Sequence, residues 1–175
     1  MSLLEPVYDR LTRYVRAMTP DREEARDILG ETVLAAYESF ERVDSPDSFV
    51  FYLFTVARRI HWKWRWKRQF FIPIGNHHND LECTGAAPDA LADVGHLRSA
   101  LQKLPFKQRE AVALFEISGF SLLEIREIQG GTLSGVKARL ARGRRRLATL
   151  LADSELSASM DLKQSENSEI KEIEL

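Results

Sequence analysis

Cations and tryptophans are interleaved between residues 57 and 69. Guanidinium and ammonium groups neutralise phosphates, and indole rings are flat surfaces on which unstacked bases stack. This combination is typical of contact with single-stranded or opening DNA. The pattern leaves a second interpretation equally open, in which the tryptophans, Trp64 in particular, are buried and the cations extend around them. The candidate strand-binding residues are Arg58, Arg59, Trp62, Lys63, Arg65 and Trp66.

A second basic stretch, residues 121–151, has the pattern of two short helices separated by a glycine turn. Ser121 and Glu124 are spaced as a capping box, Gly130-Gly131 supply the positive φ that ends the first helix, and Thr132 or Ser134 can cap the second. This is the organisation of a helix-turn-helix, whose second helix enters a major groove. A solvated basic helix in a small bundle is the alternative. The candidate DNA-reading residues are Ser134, Gly135, Lys137, Ala138, Arg139 and Arg142.

The small net charge conceals a strong alternation of charge along the chain. The formal net charge is −1, yet the blocks 1–57, 58–69, 70–97, 98–151 and 152–175 carry −5, +6, −4, +7 and −5. Two basic blocks flanked by acidic ones indicate two separate nucleic-acid contacts on one chain.

The spacing of apolar residues predicts helices and gives no alternating pattern for a sheet. The first three helices are predicted from Leu4 to Met18, from Pro20 to about Phe40 with Thr19 as the cap, and from Asp47 to about Arg68. Helices from Pro88 to Lys103 and from Pro105 to Gly119 precede the helix-turn-helix. Their predicted buried positions include Val7, Leu11, Tyr14, Val15, Met18, Ala25, Ile28, Leu29, Val33, Ala36, Tyr37, Phe40, Phe49, Leu53, Val56, Ala57, Ile60 and Trp64.

These elements predict an all-α fold of two small helical domains joined by a flexible linker, with the helix-turn-helix in the second domain. Residues 1–69 form the first domain, 70–87 the irregular linker and 88–151 the second domain. The acidic, serine-rich tail, 152–175, is expected to be mostly disordered.

The face of the second predicted helix that is not apolar carries Asp27, Gly30, Glu31, Leu34 and Glu38. Acidic residues around an exposed leucine are suited to docking a basic partner helix. An ordinary solvated face is nearly as consistent with the same pattern.

Other functional classes find little support in the residues. His77, His78 and Cys83 do not have the spacing of a familiar zinc site, and we expect neither a metal nor another cofactor. No pairing of nucleophile and base and no phosphate-binding glycine loop indicates an enzyme. The single cysteine and the lack of a long apolar run or signal pattern predict a cytoplasmic protein that does not insert into membranes.

Three segments in this order resemble the extracytoplasmic-function (ECF) sigma factors of bacterial RNA polymerase. They are DREEARDILGETVLAAYESF, YLFTVARRI, and LPFKQREAVALFEISGFSLLEI with GVKARLARGRRRL, and the resemblance covers roughly residues 5 to 151. It implies a promoter-specificity subunit whose partners are core RNA polymerase and promoter DNA, with an anti-sigma factor as a further family-level expectation.

The resemblance also implies roles for particular residues. Asp27, Gly30 and Glu31 match the family motif that docks on the polymerase clamp helices, although glycine replaces its glutamine, and Leu34 lies on the same face. The loop from Val43 to Ser48 corresponds to the one that captures a flipped base of the −10 element. Ala57, Arg58 and Arg59 match the melting helix, with arginine in place of the common asparagine. Ser134 to Leu140 match the −35 recognition helix without its usual Gly-Thr pair.

In such a subunit the linker must be long enough to let the two domains contact separate promoter elements. About 18 irregular residues extend to about 60 Å, which exceeds one duplex turn of ~34 Å. The alternative within DNA binding is a helix-turn-helix regulator that acts without polymerase, which has no need of the basic helix at residues 58–68. A scaffold or RNA-binding protein would bind without promoter preference, and an enzyme is the weakest hypothesis.

Overall fold

Helices are the regular elements of the computed structural model, which describes residues 5–39, 45–71 and 88–173. The helices pack through their apolar faces into two groups. The first module has three helices and the second has four. The first module contains α1 (Glu5–Met18), α2 (Arg22–Glu38) and α3 (Pro46–Phe71). The second contains α4 (Pro88–Gln102), α5 (Phe106–Val112) with a π-helical turn (Ala113–Ile117), α6 (Leu122–Gln129) and α7 (Leu133–Ile173).

The first helix buries the predicted stripe, and the start of the second differs from its prediction. All five predicted apolar positions of α1 are buried. Asp21, not Thr19, caps α2, because its Oδ1 accepts hydrogen bonds from the backbone N–H groups of Glu23 (2.7 Å) and Glu24 (3.3 Å). Thr19 is instead buried and donates to the Asp21 carbonyl over 3.4 Å. The prediction of Thr19 as the cap is therefore wrong by two residues.

The buried stripe of α2 is narrower than predicted. Ile28, Leu29 and Ala36 are buried, but Tyr37 is 74% exposed. One residue turns an α-helix by about 100°, so Tyr37 leaves the side of the helix on which Ala36 packs. The prediction of a buried Tyr37 is wrong, and Phe40 lies outside the described residues.

The third helix has two apolar sides because it packs against the other helices of its own module and against the second module. Phe49, Leu53, Val56 and Ala57 are buried as predicted, while Ile60 and Trp64 are half-buried. Phe54 and His61 are also buried. Phe54 contacts Tyr14 with ring centroids 5.2 Å apart and Phe120 of the second module at 4.7 Å.

In the second module, α5 and α7 approach closely at Gly143. A Cβ at this position would lie 2.8 Å from Cγ2 of Val112 and 3.1 Å from the Gln108 carbonyl oxygen. Glycine is therefore required to bring the two helices together. Gly119, with φ of 69°, ends the π-helical turn where the sequence predicts the end of a helix.

The last helix continues through residues 152–173, where the sequence predicts disorder. This stretch contains neither glycine nor proline. Adding residues to an existing helix avoids the cost of nucleation, so α7 propagates beyond the packed module. The linker prediction for 70–87 begins with two residues that belong to α3, and residues 72–87 lie outside the described ranges.

Candidate nucleic-acid interface

The three tryptophans of the basic helix α3 differ in exposure, so each of the two interpretations, exposed stacking surfaces and buried core residues, applies to some of them. Trp62 is 36% exposed and Trp66 is 62% exposed, whereas Trp64 is half-buried. The indole Nε1 of Trp64 donates to Oε1 of Glu31 on α2 over 3.1 Å. Trp64 thus has a structural role, while its two neighbours present indole surface beside the exposed cations Arg59, Lys63, Arg65 and Lys67.

Arg58 is the exception among the candidate strand-binding cations, because it is half-buried at the contact between the modules. Its Nε donates to Oε1 of Glu110 over 2.9 Å, and its Nη2 donates to the Gln129 carbonyl over 3.4 Å. Gln129 Nε2 donates to the other Glu110 oxygen over 2.8 Å. Both carboxylate oxygens of Glu110 therefore have hydrogen-bond partners, one of them from the first module.

Burial shifts the pKa of three groups near this contact. The pKa of Glu110 is raised because the side chain is buried, although Arg58 and Gln129 act in the opposite direction. Burial, and then the charge of Glu110, raises the pKa of Tyr14 well above its ordinary value. Burial lowers the pKa of Arg109 to about 10, and the nearby Arg65 charge adds to this effect. The contact between the modules is therefore a polar region largely removed from water.

The predicted helix-turn-helix is present with its caps. Ser121 Oγ accepts from the Glu124 backbone N–H over 3.3 Å, and a Glu124 carboxylate oxygen accepts from the Ser121 N–H over 2.7 Å. Gly130 and Gly131 have φ of 75° and 93°. Thr132 Oγ1 accepts from the Gly135 N–H over 3.1 Å, so Thr132, the first of the two candidate caps, caps α7.

The start of α7 presents some of the candidate DNA-reading residues more fully than others. Ser134, Lys137 and Arg142 are exposed, whereas Gly135 and Ala138 are half-buried. Hydroxyl, ammonium and guanidinium groups are the kinds of donor that phosphates and base edges accept from.

Two arginines of α7 are held against their own module. The half-buried Arg139 donates from Nη2 to the Gly130 carbonyl over 3.1 Å, and so supports the turn between the two helices. Nη2 of Arg144 lies 2.5 Å from Oε1 of Glu116, and Cζ of the same guanidinium lies 4.8 Å from the ring centroid of Phe115. The basic face of α7 therefore combines exposed donors with cations that stabilise the module.

The candidate polymerase-binding residues form a continuous exposed surface on α2. Asp27, Gly30 and Glu31 are exposed, and Leu34 is 60% exposed beside them. The exposed Tyr37, which the sequence pattern placed in the core, extends this surface by one turn. Apolar area of this kind, rimmed by acids, is typical of a protein-docking surface.

Sequence reasoning missed the α5 residues that contact the basic helix. Phe106 lies 5.2 Å from Trp62 and 5.1 Å from the Arg65 guanidinium, and Glu110 binds Arg58. Glu110 is one of few acids in a basic block, which is the only signal the sequence offered.

Neither a membrane span nor a metal centre is found within the described residues. There, no helix combines the length and apolarity that crossing a bilayer requires, and no three His, Cys, Asp or Glu side chains are grouped to hold a metal ion. His77, His78 and Cys83, for which a metal was considered, lie outside these ranges.

Glu124→Gln is expected to reduce stability slightly at neutral pH and to have no effect in acid. The hydrogen bonds from Ser121 lower the pKa of the Glu124 carboxyl from 4.5. A depressed folded-state pKa means that the stabilisation is present above pH 4.5 and is lost as the pH falls through the lower folded value. Glutamine keeps the capping geometry but removes the charge, so we expect a loss of about 0.3 kcal/mol at pH 7. Urea unfolding of the variant and the wild type at pH 7 and pH 3 measures the difference in their free energy of unfolding. The same difference at both pH values would contradict the prediction.

Two family models match the chain in the two modules. The Sigma-70 region 2 model matches residues 3–68, and the model of Sigma-70, region 4 matches residues 96–147. The ECF RNA polymerase sigma factor SigM of Mycobacterium tuberculosis is 30% identical over 145 residues, covering 81% of this chain and 71% of SigM. EcfG of Rhodopseudomonas palustris, also an ECF sigma factor, is 28% identical over 144 residues, covering 81% and 78% of the two chains.

A solved structure has a similar fold. The sigma factor RpoE from Bartonella quintana, in complex with the anti-sigma factor NepR, aligns with a TM-score of 0.70 and 25% identity. The alignment covers 85% of this chain and 94% of RpoE.

A two-module helical fold with a basic-aromatic helix and a helix-turn-helix defines a sigma factor of the Sigma-70 type, and within that type this chain belongs to the ECF sigma factors. It is an alternative sigma factor, which binds core RNA polymerase and directs promoter recognition and transcription initiation. The resemblance noted in the sequence is thereby confirmed.

Proposed function

We propose that this sigma factor holds open the −10 region of its promoters with α3 and reads the −35 region with the start of α7. The observation that carries this proposal is the combination, in one chain, of exposed indoles among cations and a capped recognition helix with exposed donors. Residues 1–69 and 88–151 are the two functional domains. Strand opening requires no covalent step, because base flipping and stacking stabilise the unpaired strand.

Residues of α3 and α7 take different roles in this proposal. Trp62 and Trp66 stack on unpaired bases, while Arg58, Arg59, Lys63 and Arg65 neutralise the strand backbone. Ser134 and Lys137 reach base edges; Arg142 binds phosphate beyond them. Gly135 and Ala138 allow close approach to the groove, and Arg139 fixes the turn that aims the helix. The loop assigned to base capture begins at Val43, outside the described residues.

Docking on core polymerase is assigned to Asp27, Gly30, Glu31 and Leu34 of α2. Their common exposure on one helix face supports this, since acids around a leucine complement a basic helix that has an apolar stripe. Trp64 holds Glu31 from α3, so the docking surface and the strand-binding helix are mechanically connected.

In vitro transcription with purified core RNA polymerase and a fragmented genome of the source organism tests the proposal. Transcripts with discrete starts, preceded by two shared sequence elements, are the expected result. Specific DNA binding by the protein alone without any transcript would instead indicate a free-standing regulator.

A double variant, Lys63→Ala with Trp66→Ala, separates strand opening from docking. Base stacking contributes about 1–3 kcal/mol per base, so open-complex formation should fall roughly tenfold or more. Permanganate reactivity of unpaired thymines measures opening, and competition against labelled wild-type protein measures binding to core polymerase. Equal loss of both would contradict the assignment of this face to DNA.

Gly30→Gln is expected to strengthen both α2 and its docking. Gly30 lies inside the helix, and a Cβ added there would meet no atom within 4 Å. Replacing glycine there should stabilise the fold by about 0.5 kcal/mol, and the amide restores the glutamine of the family motif. Affinity for core polymerase is expected to rise by roughly threefold, the effect of one added hydrogen bond of about 0.7 kcal/mol.

Gly30→Ala is the control for this prediction. It carries the gain in helix propensity without the amide, and its affinity for core polymerase should match the wild type. A gain in affinity with alanine as large as with glutamine would assign the effect to helix stiffness, not to the restored side chain.

The role of a sigma factor also supports proposals about its partners and its cellular location. RpoE of Bartonella quintana was solved with an anti-sigma factor, which supports an anti-sigma partner for this chain as well. Action on core polymerase and promoter DNA supports a cytoplasmic location and a role in which the chain catalyses no reaction and uses no cofactor.

A further inference from the structure

A cavity of about 340 Å³ lies between the two modules, beside the C-terminal end of α1. Met18 and Pro20 form part of its wall, and the rest of the lining is polar or charged: Glu24, His61, Arg65, Gln102 and Arg109. Its volume is within the range of sites that hold small molecules. A cavity of this size and polarity is suited to a small polar ligand.

The buried cation of this cavity has no counter-ion within the described residues. Arg109 is only 8% exposed. Its Nη groups donate to neutral oxygens, namely the carbonyls of Met18 (2.8 Å), Gln102 (3.0 Å) and Leu104 (3.3 Å) and the side-chain Oε1 of Gln102. Its buried Nε has no acceptor in the described part of the chain. A buried charge is costly unless an opposite charge offsets it, so an anion would complete the environment of Arg109.

A second guanidinium adds to the positive charge of the cavity. Arg65 of α3 is exposed, lines the same cavity and rests on the ring of Phe106, with its Cζ 5.1 Å from the centroid. Burial and then the charge of Arg65 lower the pKa of Arg109 to about 10. The direction of this change shows that Glu24 does not compensate the two cations. An anion between them would remove their repulsion and supply the acceptor that Nε of Arg109 lacks.

We propose that this cavity is a binding site for a small hydroxylated phosphate, the class to which sugar phosphates belong. A phosphate monoester carries up to two negative charges and several acceptor oxygens, and guanidinium groups bind it through paired N–H donors. Arg65 and Arg109 hold this phosphate group. Glu24 and Gln102 accept hydrogen bonds from neutral hydroxyl groups, whereas a second anionic group would be repelled by the Glu24 carboxylate. The site goes beyond the proposed function, which gives neither Arg109 nor the cavity a role.

The depth of Arg109 favours a free small molecule over the backbone of a DNA strand, which offers similar chemistry. A strand can reach the exposed Arg65, but Arg109 is nearly enclosed. A phosphodiester is also substituted on two sides, so it cannot enter a cavity end-on as a terminal phosphate can. A ligand held by α3 and α5 together contacts both modules, and its binding therefore stabilises the folded chain.

Isothermal titration calorimetry of the full chain with ribose 5-phosphate tests this proposal. We expect a Kd of about 0.1–1 mM, typical of a few charged hydrogen bonds. At about ten times that concentration the melting temperature should rise by about 3 to 6 °C. Inorganic phosphate should bind roughly tenfold more weakly, and uncharged ribose should not bind. No binding of ribose 5-phosphate would overturn the site, and equally tight binding of ribose or of inorganic phosphate would overturn the ligand class.

Arg65→Gln and Arg109→Gln remove the two cations one at a time. Each variant should bind ribose 5-phosphate roughly tenfold or more weakly, because each loses charge-assisted hydrogen bonds. Arg65 is exposed, so its variant keeps the test valid if Arg109→Gln unfolds. Unchanged affinity in a folded variant of either arginine would overturn the assignment.

Lys103→Gln is the matched control for the loss of one positive charge. Lys103 is exposed and follows Gln102 in the chain, but it does not line the cavity. Its affinity for ribose 5-phosphate should equal that of the wild type. A loss as large as that of Arg65→Gln would mean that the chain attracts anions through its overall charge, which would overturn the site.

Titration with the single strand dT20 separates the two sources of phosphate. A dT20 affinity that falls with Arg109→Gln as far as the affinity for ribose 5-phosphate would assign the cavity to the strand backbone and overturn the proposal. Loss of ribose 5-phosphate binding without such a change in dT20 binding supports it. Neither titration uses polymerase or a promoter, so the result does not depend on the proposed function.

Discussion

Leu34→Asp is expected to weaken binding to core RNA polymerase by roughly 30-fold, which corresponds to the roughly 2 kcal/mol of an interface hot spot. Leu34 is 60% exposed in the middle of the proposed docking surface. Aspartate would remove its apolar contact and would bury a carboxylate without a partner when the complex forms. Competition with labelled wild-type sigma factor for purified core polymerase measures the change.

Val94→Asp is the matched control, because Val94 is 50% exposed on α4 of the other module. Both changes replace exposed aliphatic groups with a carboxylate and should leave thermal unfolding nearly unchanged. A loss of polymerase affinity as large for Val94→Asp as for Leu34→Asp would show that the effect is one of charge, not of the α2 surface.

Gly143→Val is expected to lower the free energy of unfolding by about 1–3 kcal/mol, as overpacking of a close contact does. A Cβ there would lie 2.8 Å from Cγ2 of Val112, which is buried, and 3.1 Å from the Gln108 carbonyl oxygen. The Gln108 backbone cannot move aside as the end of a flexible side chain can, so α7 must move away from α5. For a chain of this size the melting temperature should fall by about 2 to 12 °C.

Gly30→Val provides the comparison, since the same replacement occurs in a helix where nothing lies within 4 Å. There the greater helix propensity of valine should raise stability by a few tenths of a kcal/mol. Calorimetry on the two variants gives opposite signs if the close approach at Gly143 is correct. Equal small gains would mean that α5 and α7 are farther apart.

The sequence predicted those features of the fold that depend on residues close together in the chain, namely a helix cap, a glycine turn and an apolar stripe. The Ser121 and Glu124 capping box is confirmed by its two reciprocal hydrogen bonds, and the Gly130-Gly131 turn by its positive φ angles. The apolar stripe of α1 is confirmed because a helix that packs on one side has a simple period. Each of these features depends on residues within one or two turns of one another.

Predictions failed where two local rules competed or where a helix face met an unforeseen partner. Thr19 and Asp21 both suit a cap, and the carboxylate, which accepts two N–H groups, takes the position. Tyr37 is apolar enough for the core but lies on an exposed side of α2. Hydrophobic periodicity identifies a stripe without determining its width.

The surface between the modules was beyond reach of sequence reasoning. Phe54 and His61 contact Phe120 and Phe106 of the second module, and Glu110 meets Arg58 across 52 residues of sequence. Nothing in the spacing of either segment specifies that pairing. The half-buried Arg139 similarly combines a candidate DNA contact with support for a turn, and only the folded structure separates the two roles.

The length of α7 gives the molecule a preferred orientation in an electric field. Its 41 residues form a rod about 60 Å long, cationic near residues 137–146 and anionic beyond residue 152. A duplex attracts one end of such an electric dipole and repels the other, so the recognition end should lead on approach, most strongly at low ionic strength. The far end then points away from the duplex, where another protein can reach it without displacing promoter DNA.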